Sequence, residues 1–203
     1  MFLLPYFKEL SFLVYGLGST GCSVVKFFKK NKIKNFKVWD DKNHLYKKNK
    51  SKNLKKSLKK ANYIVLSPGV RLLNSKNSKK LKKFKKKIIT DIDLMFLFKR
   101  NFKSIVVTGT NGKSTTSKII THMLKKNNFK VFLGGNIGRP ILDINVKKNC
   151  YLVIEASSFQ LSHSKFLSPD YAMILNITND HIDWHGSMKN YKDAKFKIFK
   201  NQK

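Results

Sequence analysis

Short apolar runs, separated by glycine-rich turns and lysine-rich polar stretches, set the rhythm of this chain. Ser11–Tyr15, Phe36–Trp39, Tyr63–Leu66 and Ile88–Thr90 are brief, rich in Phe, Val, Ile and Leu, and bounded by turn residues. Runs of that length, apolar on both faces, predict buried strands of a parallel sheet. Cys22 to Lys30 carries its apolar residues at helical spacing instead, as a helix packed on such a sheet would. The alternation restarts with a strand at Ser104–Thr108 and an amphipathic helix to about Lys126. Strands at Lys130–Leu133, Tyr151–Glu155 and Tyr171–Asn176 follow, then a helix starting near Ser187. Strand and helix in turn make an α/β fold. The restart predicts two domains, residues 1–98 and 99–203, joined by a short basic junction at Lys99–Lys103.

Two glycine turns carry the chemistry. Gly16-Leu17-Gly18-Ser19-Thr20-Gly21 lies between a strand and a helix, and Asp40-Asp41 closes the next strand about twenty residues on. Taken alone, that spacing predicts a Rossmann-like dinucleotide site. Ser67-Pro68-Gly69 ends the third strand and places another loop at the same sheet edge. The second turn is Gly109-Thr110-Asn111-Gly112-Lys113-Ser114-Thr115, again between strand and helix. A turn at a helix N-terminus offers backbone N–H groups and the positive end of the helix dipole to an anion. Gly109 and Gly112 let the backbone close around phosphate oxygens. Lys113 can reach the β- and γ-phosphates, and the Ser114 or Thr115 hydroxyl can ligate Mg2+. Only two residues separate Gly109 from Gly112-Lys113, where the general phosphate loop has four. The turn predicts a nucleoside triphosphate site.

Other residues leave alternatives open. Glu155 ends an apolar strand, placed either to hold Mg2+ opposite the loop or to cap a helix or pair with a loop. Asn136 follows two glycines and either points its amide at a ligand or forms a left-handed turn. His181 and His185 stand four apart, without a zinc-protease pattern; His185 is either a ligand itself or, on the other reading, a surface residue or one behind a ligand. Lys195 is one lysine among many on this reading, and His44, His122 and His163 carry no pattern. Cys22 and Cys150 stand alone, with no disulfide or zinc framework, as reduced thiols of a cytoplasmic protein do. There is no apolar run of about eighteen residues to enter a membrane, and the start lacks the basic and apolar regions of a secretory signal. The net charge of +32 would suit nucleic acid. The lysines are spread, heaviest in Lys47–Lys60 and Lys76–Lys87, and the only arginines are Arg71, Arg100 and Arg139. No specific nucleic-acid partner is expected; a basic nucleic-acid-binding protein is the lesser alternative.

Five segments in order resemble the Mur ligases. They are Gly109-Thr-Asn-Gly-Lys-Ser-Thr, Gly134-Gly-Asn-Ile-Gly, Glu155-Ala-Ser-Ser-Phe-Gln-Leu, Asn176-Ile-Thr-Asn-Asp-His-Ile-Asp and Tyr191-Lys-Asp-Ala-Lys. The Ser-Ser-Phe-Gln-Leu and Gly-Gly-Asn-Ile-Gly segments point to members that add D-glutamate to UDP-N-acetylmuramoyl-L-alanine. The resemblance implies a Rossmann-like first domain that binds the UDP moiety, so the first glycine turn would serve that ligand in place of a dinucleotide. Gly18, Ser19, Thr20, Asp40 and Gly69 would then contact the UDP portion, and Asn136 and Ser157 the muramoyl portion. It also implies a phosphate-loop central domain binding ATP through Gly109, Thr110, Asn111, Gly112, Lys113, Ser114 and Thr115. Ser114 and Glu155 would hold one Mg2+, with His181 and a carbamylated Lys195 at a second. Lys113, His181 and Lys195 are the implied catalytic residues of a cytoplasmic, monomeric, ATP-dependent amide ligase of peptidoglycan synthesis. On this resemblance the central domain is incomplete and the family's C-terminal domain is absent. The expectation is that residues 1–203 do not turn over alone, the alternative being a non-catalytic module that holds the UDP-muramoyl substrate.

Overall fold

The computed structural model describes residues 4–42, 45–73, 75–98 and 101–203. His44, Arg100 and the first two positions of the expected junction lie outside the described residues. The chain divides into two compact units, Met1–Asp91 and Ile92–Lys203. The first contains α1 (Leu4–Glu9), β1 (Phe12–Tyr15), α2 (Ser19–Lys30), β2 (Phe36–Trp39), α3 (Leu54–Lys60), β3 (Tyr63–Leu66), α4 (Ser78–Lys83) and β4 (Ile88–Ile89). Its sheet runs β2-β1-β3-β4, and every pair is parallel.

Every residue of β1 is buried, as a strand covered on both faces must be. Phe12, Phe28 and Phe36 close one side of the sheet, with ring centroids 4.8 and 5.4 Å apart. On the other side Leu13, Tyr15, Ile64 and Leu66 meet Leu54 and Leu58 of α3 and Leu81 of α4. The lysine-rich stretches thus become helices pinned by one or two leucines, Leu54 and Leu58 on α3 and Leu81 on α4, their lysines turned to solvent. Lys87 instead turns back onto the protein. Its Nζ donates to the carbonyls of Lys59 and Ala61 at the end of α3, where a cation suits the helix dipole. α2 begins three residues earlier than the spacing predicts, inside the glycine turn. Gly21 makes that possible, because a Cβ there would lie 1.8 Å from the Gly16 carbonyl oxygen.

The second unit contains most of α5 (Asp91–Phe98), then β5 (Phe102–Thr108), α6 (Lys113–Lys126), β6 (Val131–Gly135), β7 (Cys150–Glu155), α7 (Ser158–His163), β8 (Tyr171–Ile174), α8 (Ile182–His185) and α9 (Met188–Phe196). Its sheet runs β6-β7-β5-β8, again wholly parallel. The division between the units falls seven residues before the expected boundary at 98. Asp93 accounts for that: fully buried on α5, it accepts hydrogen bonds from Ser164 Oγ and from the N–H groups of Lys165 and Phe166. β6 extends two residues further than the spacing predicts, through Gly134-Gly135, because Gly135 adopts φ +110° and a Cβ there would stand 2.3 Å from the Glu155 carbonyl oxygen. No described helix is long and apolar enough to cross a membrane.

Candidate functional site

In the first sheet the chain runs from β1 to one side and returns to β3 on the other, and ligands of open α/β sheets bind at such a reversal. A cleft of about 760 Å3 opens there, and Gly18, Ser19, Thr20, Asp40 and Gly69 all line it. Gly18 caps α2 without a side chain, so the helix N-terminus faces the cleft bare. Asp40 is tied to the backbone: it accepts from the N–H groups of Leu17 at 2.5 Å and Lys42 at 2.8 Å. Asp41, which spacing singled out only as a neighbour, gathers three donors. Tyr15 Oη, Trp39 Nε1 and Asn77 Nδ2 reach its carboxylate at 2.8, 2.9 and 2.8 Å. Burial, reinforced by the bond to Asp41, pushes the Tyr15 phenol well above its ordinary range. Tyr15 is therefore a fixed neutral donor.

The second turn joins β5 to α6 at the C-terminal edge of its sheet. Gly112 caps α6 at φ +81°, a conformation that favours glycine. Asn176, just past β8, clamps the turn: Oδ1 accepts from the N–H groups of Thr110 and Asn111 at 3.1 and 2.9 Å, and Nδ2 donates to the Asn111 carbonyl at 3.1 Å. The first-turn N–H groups of α6 are then the ones an anion would meet. Lys113 Nζ folds over the turn onto the carbonyls of Gly109 and Thr110, at 2.9 and 2.6 Å. Ser114 Oγ donates to Glu155 Oε2 at 2.8 Å, and Asn136 Nδ2 donates to Glu155 Oε1 at 2.9 Å. Glu155 is 2% exposed. The hydroxyl and the carboxylate are hard oxygen donors of the kind Mg2+ accepts when phosphates complete its shell. Among the described residues no group of three or more His, Cys, Asp or Glu side chains gathers to hold a metal unaided. Thr115 is exposed on the first turn of α6.

Lys195 shows what the residue pattern missed. It is 1% exposed, and its Nζ donates to the Gly109 carbonyl at 2.7 Å, the same oxygen Lys113 reaches. Burial, and then the Lys113 charge beside it, pull its pKa down to about 8, while Asp180 pulls the other way. The Tyr191 ring lies 4.6 Å below the Lys195 ammonium, and the Tyr191 hydroxyl meets Thr110 Oγ1 at 3.0 Å. His181 stands at the start of α8 with φ 52°, its ring 4.7 Å from that of Phe159 and 6.3 Å from that of Tyr191, and Nδ1 3.2 Å from Asp180. Ser157 is the N-cap of α7 in a capping box with Gln160, so its hydroxyl already accepts from the Gln160 N–H. His185 is buried, with Nε2 3.0 Å from Ser158 Oγ, so it does not lie at the surface. The structure thus gathers Lys113, Lys195, Ser114, Glu155 and Asn136 around one turn and brings His181 alongside through Tyr191. Asn176, Tyr191 and Ser158 lay inside the five family-like segments with no role attached, since only long-range pairing reveals one.

The second parallel α/β unit sets a lysine, a hydroxyl and a carboxylate about a glycine turn at a helix N-terminus, the kind of place where α/β proteins receive anions. The sequence profile of the Mur ligase MurD-like N-terminal domain matches residues 10–90, and that of the Mur ligase middle domain matches residues 107–203. The chain belongs to the Mur ligase family. It is 41% identical over 206 residues to a UDP-N-acetylmuramoylalanine--D-glutamate ligase from Wolbachia pipientis wMel, covering 95% of this chain and 39% of that protein. A ligase of the same name from Rickettsia felis is 42% identical over 196 residues, covering 92% and 42%. The chain thus spans about two fifths of the length of these curated relatives. The solved UDP-N-acetylmuramate:L-alanyl-gamma-D-glutamyl-meso-diaminopimelate ligase from Neisseria meningitides shares the fold, with a TM-score of 0.55 at 13% identity over 96% of this chain and 68% of that one.

Proposed function

We propose that this chain forms the UDP-binding and phosphate-loop parts of a cytoplasmic, ATP-dependent ligase that joins D-glutamate to UDP-N-acetylmuramoyl-L-alanine. The observation that carries the reading is the convergence of Lys113 and Lys195 on the Gly109 carbonyl, beside the Ser114–Glu155 pair. Two ammonium groups on one carbonyl repel each other, and an anion relieves that repulsion. The γ-phosphate of ATP is such an anion, cradled by the first turn of α6 and met by Lys113. Ser114 and Glu155 would hold Mg2+, which when bound neutralises charge on the phosphates. The substrate carboxylate attacks the γ-phosphorus and ADP leaves. The amine of D-glutamate then attacks the acyl carbon, phosphate departs, and the amine loses a proton as the amide forms. Positioning and charge neutralisation supply most of such an acceleration.

Lys195 fits a second role in the same reading. A lysine with a pKa of about 8 keeps a usable fraction of free amine near neutral pH, and free amine is the form that reacts with CO2. Carbamylation turns the repelling cation into an anion beside Lys113, able to support a second cation with His181. In the first unit, the bare N-terminus of α2 would take the diphosphate of the UDP moiety, with Ser19, Thr20, Asp40 and Gly69 around it. Asn136 and Ser157 would face the muramoyl portion.

Calorimetric titration of the 203-residue protein with UDP-N-acetylmuramoyl-L-alanine, ATP with Mg2+, and NAD tests the assignment. Saturable binding of the first two and none of NAD is expected. Tight NAD binding without a response to the UDP ligand would overturn it. A carbamate carbonyl signal from 13C-bicarbonate, lost in Lys195→Arg, tests the lysine's role separately.

A further inference from the structure

We infer that His185 is a positioning residue: its bond to Ser158 fixes the short helix α8 and so sets His181 against the turn that follows Glu155. The inference rests on the proposed reading of Glu155 and His181 as cation-holding residues. α8 has only four residues, bounded by left-handed residues at both ends, His181 at φ 52° and Gly186 at φ 81°. A helix so short cannot hold its own shape in water. Its place must come from outside.

Trp184 supplies packing, its ring 4.7 Å from that of Phe159 and 5.8 Å from that of His163, and His185 supplies packing and the side-chain hydrogen bond. The His185 ring is 6% exposed, stacked on Phe159 with centroids 5.8 Å apart and 18° between planes, and set edge-on to Tyr191 at 5.2 Å. Nε2 lies 3.0 Å from Ser158 Oγ, and the His185 carbonyl accepts from Asn190 Nδ2 at 2.9 Å. Ser158 opens α7, three residues after Glu155 at the end of β7. The His185 N–H donates to the His181 carbonyl at 3.0 Å, and Phe159 packs on both imidazoles. One hydroxyl–imidazole bond therefore links the Glu155 turn to the segment that begins with His181. Stacking alone would let α8 slide along Phe159, whereas a hydrogen bond fixes distance and direction. Groups behind metal ligands act in this way, and losing one typically weakens metal binding about 10- to 100-fold.

The test uses the whole 203-residue chain and the variants His185→Phe, His185→Gln and Ser158→Ala. Two signals are followed: the His181 ring resonance by NMR, displaced by the ring current of Phe159, and Mn2+ binding in the presence of ATP by electron paramagnetic resonance. Phe keeps the packing and loses the bond; the Gln amide stands near where Nε2 was. His185→Phe and Ser158→Ala should each move the His181 resonance and weaken Mn2+ binding about tenfold. The double variant should lose no more than either alone, because both remove one bond. His185→Gln should stay within about threefold of the parent. An unmoved His181 resonance and unchanged Mn2+ affinity in both single variants would overturn the inference. So would a glutamine variant as damaged as the phenylalanine one. If His185→Phe does not fold, Ser158→Ala reads the same bond. If Mn2+ never broadens His181 in the parent while the variants still move its resonance, the metal reading fails and the positioning role stands.

Discussion

The two units are built on the same plan, a four-stranded parallel sheet with a glycine turn after its first long strand, yet their turns are equipped for different work. The first turn is held from behind by a carboxylate, Asp40, and the cations of its cleft, Lys42, Arg71 and Lys76, come from other segments than the turn. The second is gripped by an amide, Asn176, and carries two lysines that share a carbonyl. A bound diphosphate that is only to be held needs oriented N–H groups. A phosphate that is to be transferred needs charge that can follow it. Both units are parallel α/β sheets with different strand orders, and in the proposed reading it is the local side chains that separate a holding site from a reacting one.

Glycine exchanges break the comparison most severely, because each unit has a glycine whose added methyl would strike a backbone carbonyl. A methyl at Gly21 would meet the Gly16 carbonyl at 1.8 Å, and one at Gly135 the Glu155 carbonyl at 2.3 Å. Gly21→Ala should destabilise the first unit by at least about 3 kcal/mol and abolish the response to the UDP ligand while the ATP response remains. Gly135→Ala should do the reverse. Calorimetric titration after circular dichroism melting checks both. Loss of both responses in either variant would mean that the units do not fold independently.

Lys113→Ala comes next. Losing a charged donor to phosphate should weaken ATP binding about 100-fold and leave the UDP ligand within about twofold. Fluorescent ATP displacement beside calorimetry measures the pair. Equal losses at both ligands would erase the distinction between the turns.

How far this contrast was legible in the sequence depends on the range over which each residue acts. The strands were readable because their apolar runs are local, and Lys113, Ser114 and Glu155 because they sit at fixed offsets from a turn or a strand end. The start of α2 was not, since it depends on Gly21 fitting against a carbonyl five residues back. The joint role of Tyr15, Asp41 and Asn77 was not legible because these three residues lie 26 to 62 positions apart. Lys195 looked like any other lysine until a carbonyl 86 positions earlier claimed it, so only the family resemblance singled it out. His185 was left between two readings for the same reason, its partner being 27 positions distant.

His185 also gives the second unit an acid response. Burial, with the nearby charges of His181 and Lys195, lowers its pKa from 6.5 to about 4, and Asp183 opposes the shift. Between those values the unfolded chain binds a proton that the folded one refuses, so stability rises with pH there and is lost as pH falls from 6.5 toward 4. Comparing thermal melts of the parent and His185→Phe across that window should show the parent losing about 2 kcal/mol more. Parallel curves would mean that the histidine titrates alike in both states.

Asp40 provides the smallest and most discriminating change. Its carboxylate accepts from the N–H groups of Leu17 in the first turn and of Lys42 two residues on. Asn offers one carbonyl oxygen for the two, so Asp40→Asn should loosen the first turn by about 1 kcal/mol. If the aspartate acts by holding the turn, ligands that carry the diphosphate weaken about fivefold and uridine hardly changes, because only the diphosphate reads the orientation of the helix N-terminus. If it contacts the base directly, uridine and the full ligand weaken together. Equilibrium dialysis of uridine, UDP and UDP-N-acetylmuramoyl-L-alanine separates the two. The diphosphate-selective outcome is expected, since both N–H bonds already draw the carboxylate onto the backbone, and it would make the first turn a site that binds through its main chain, in contrast to the lysine-armed turn of the second unit.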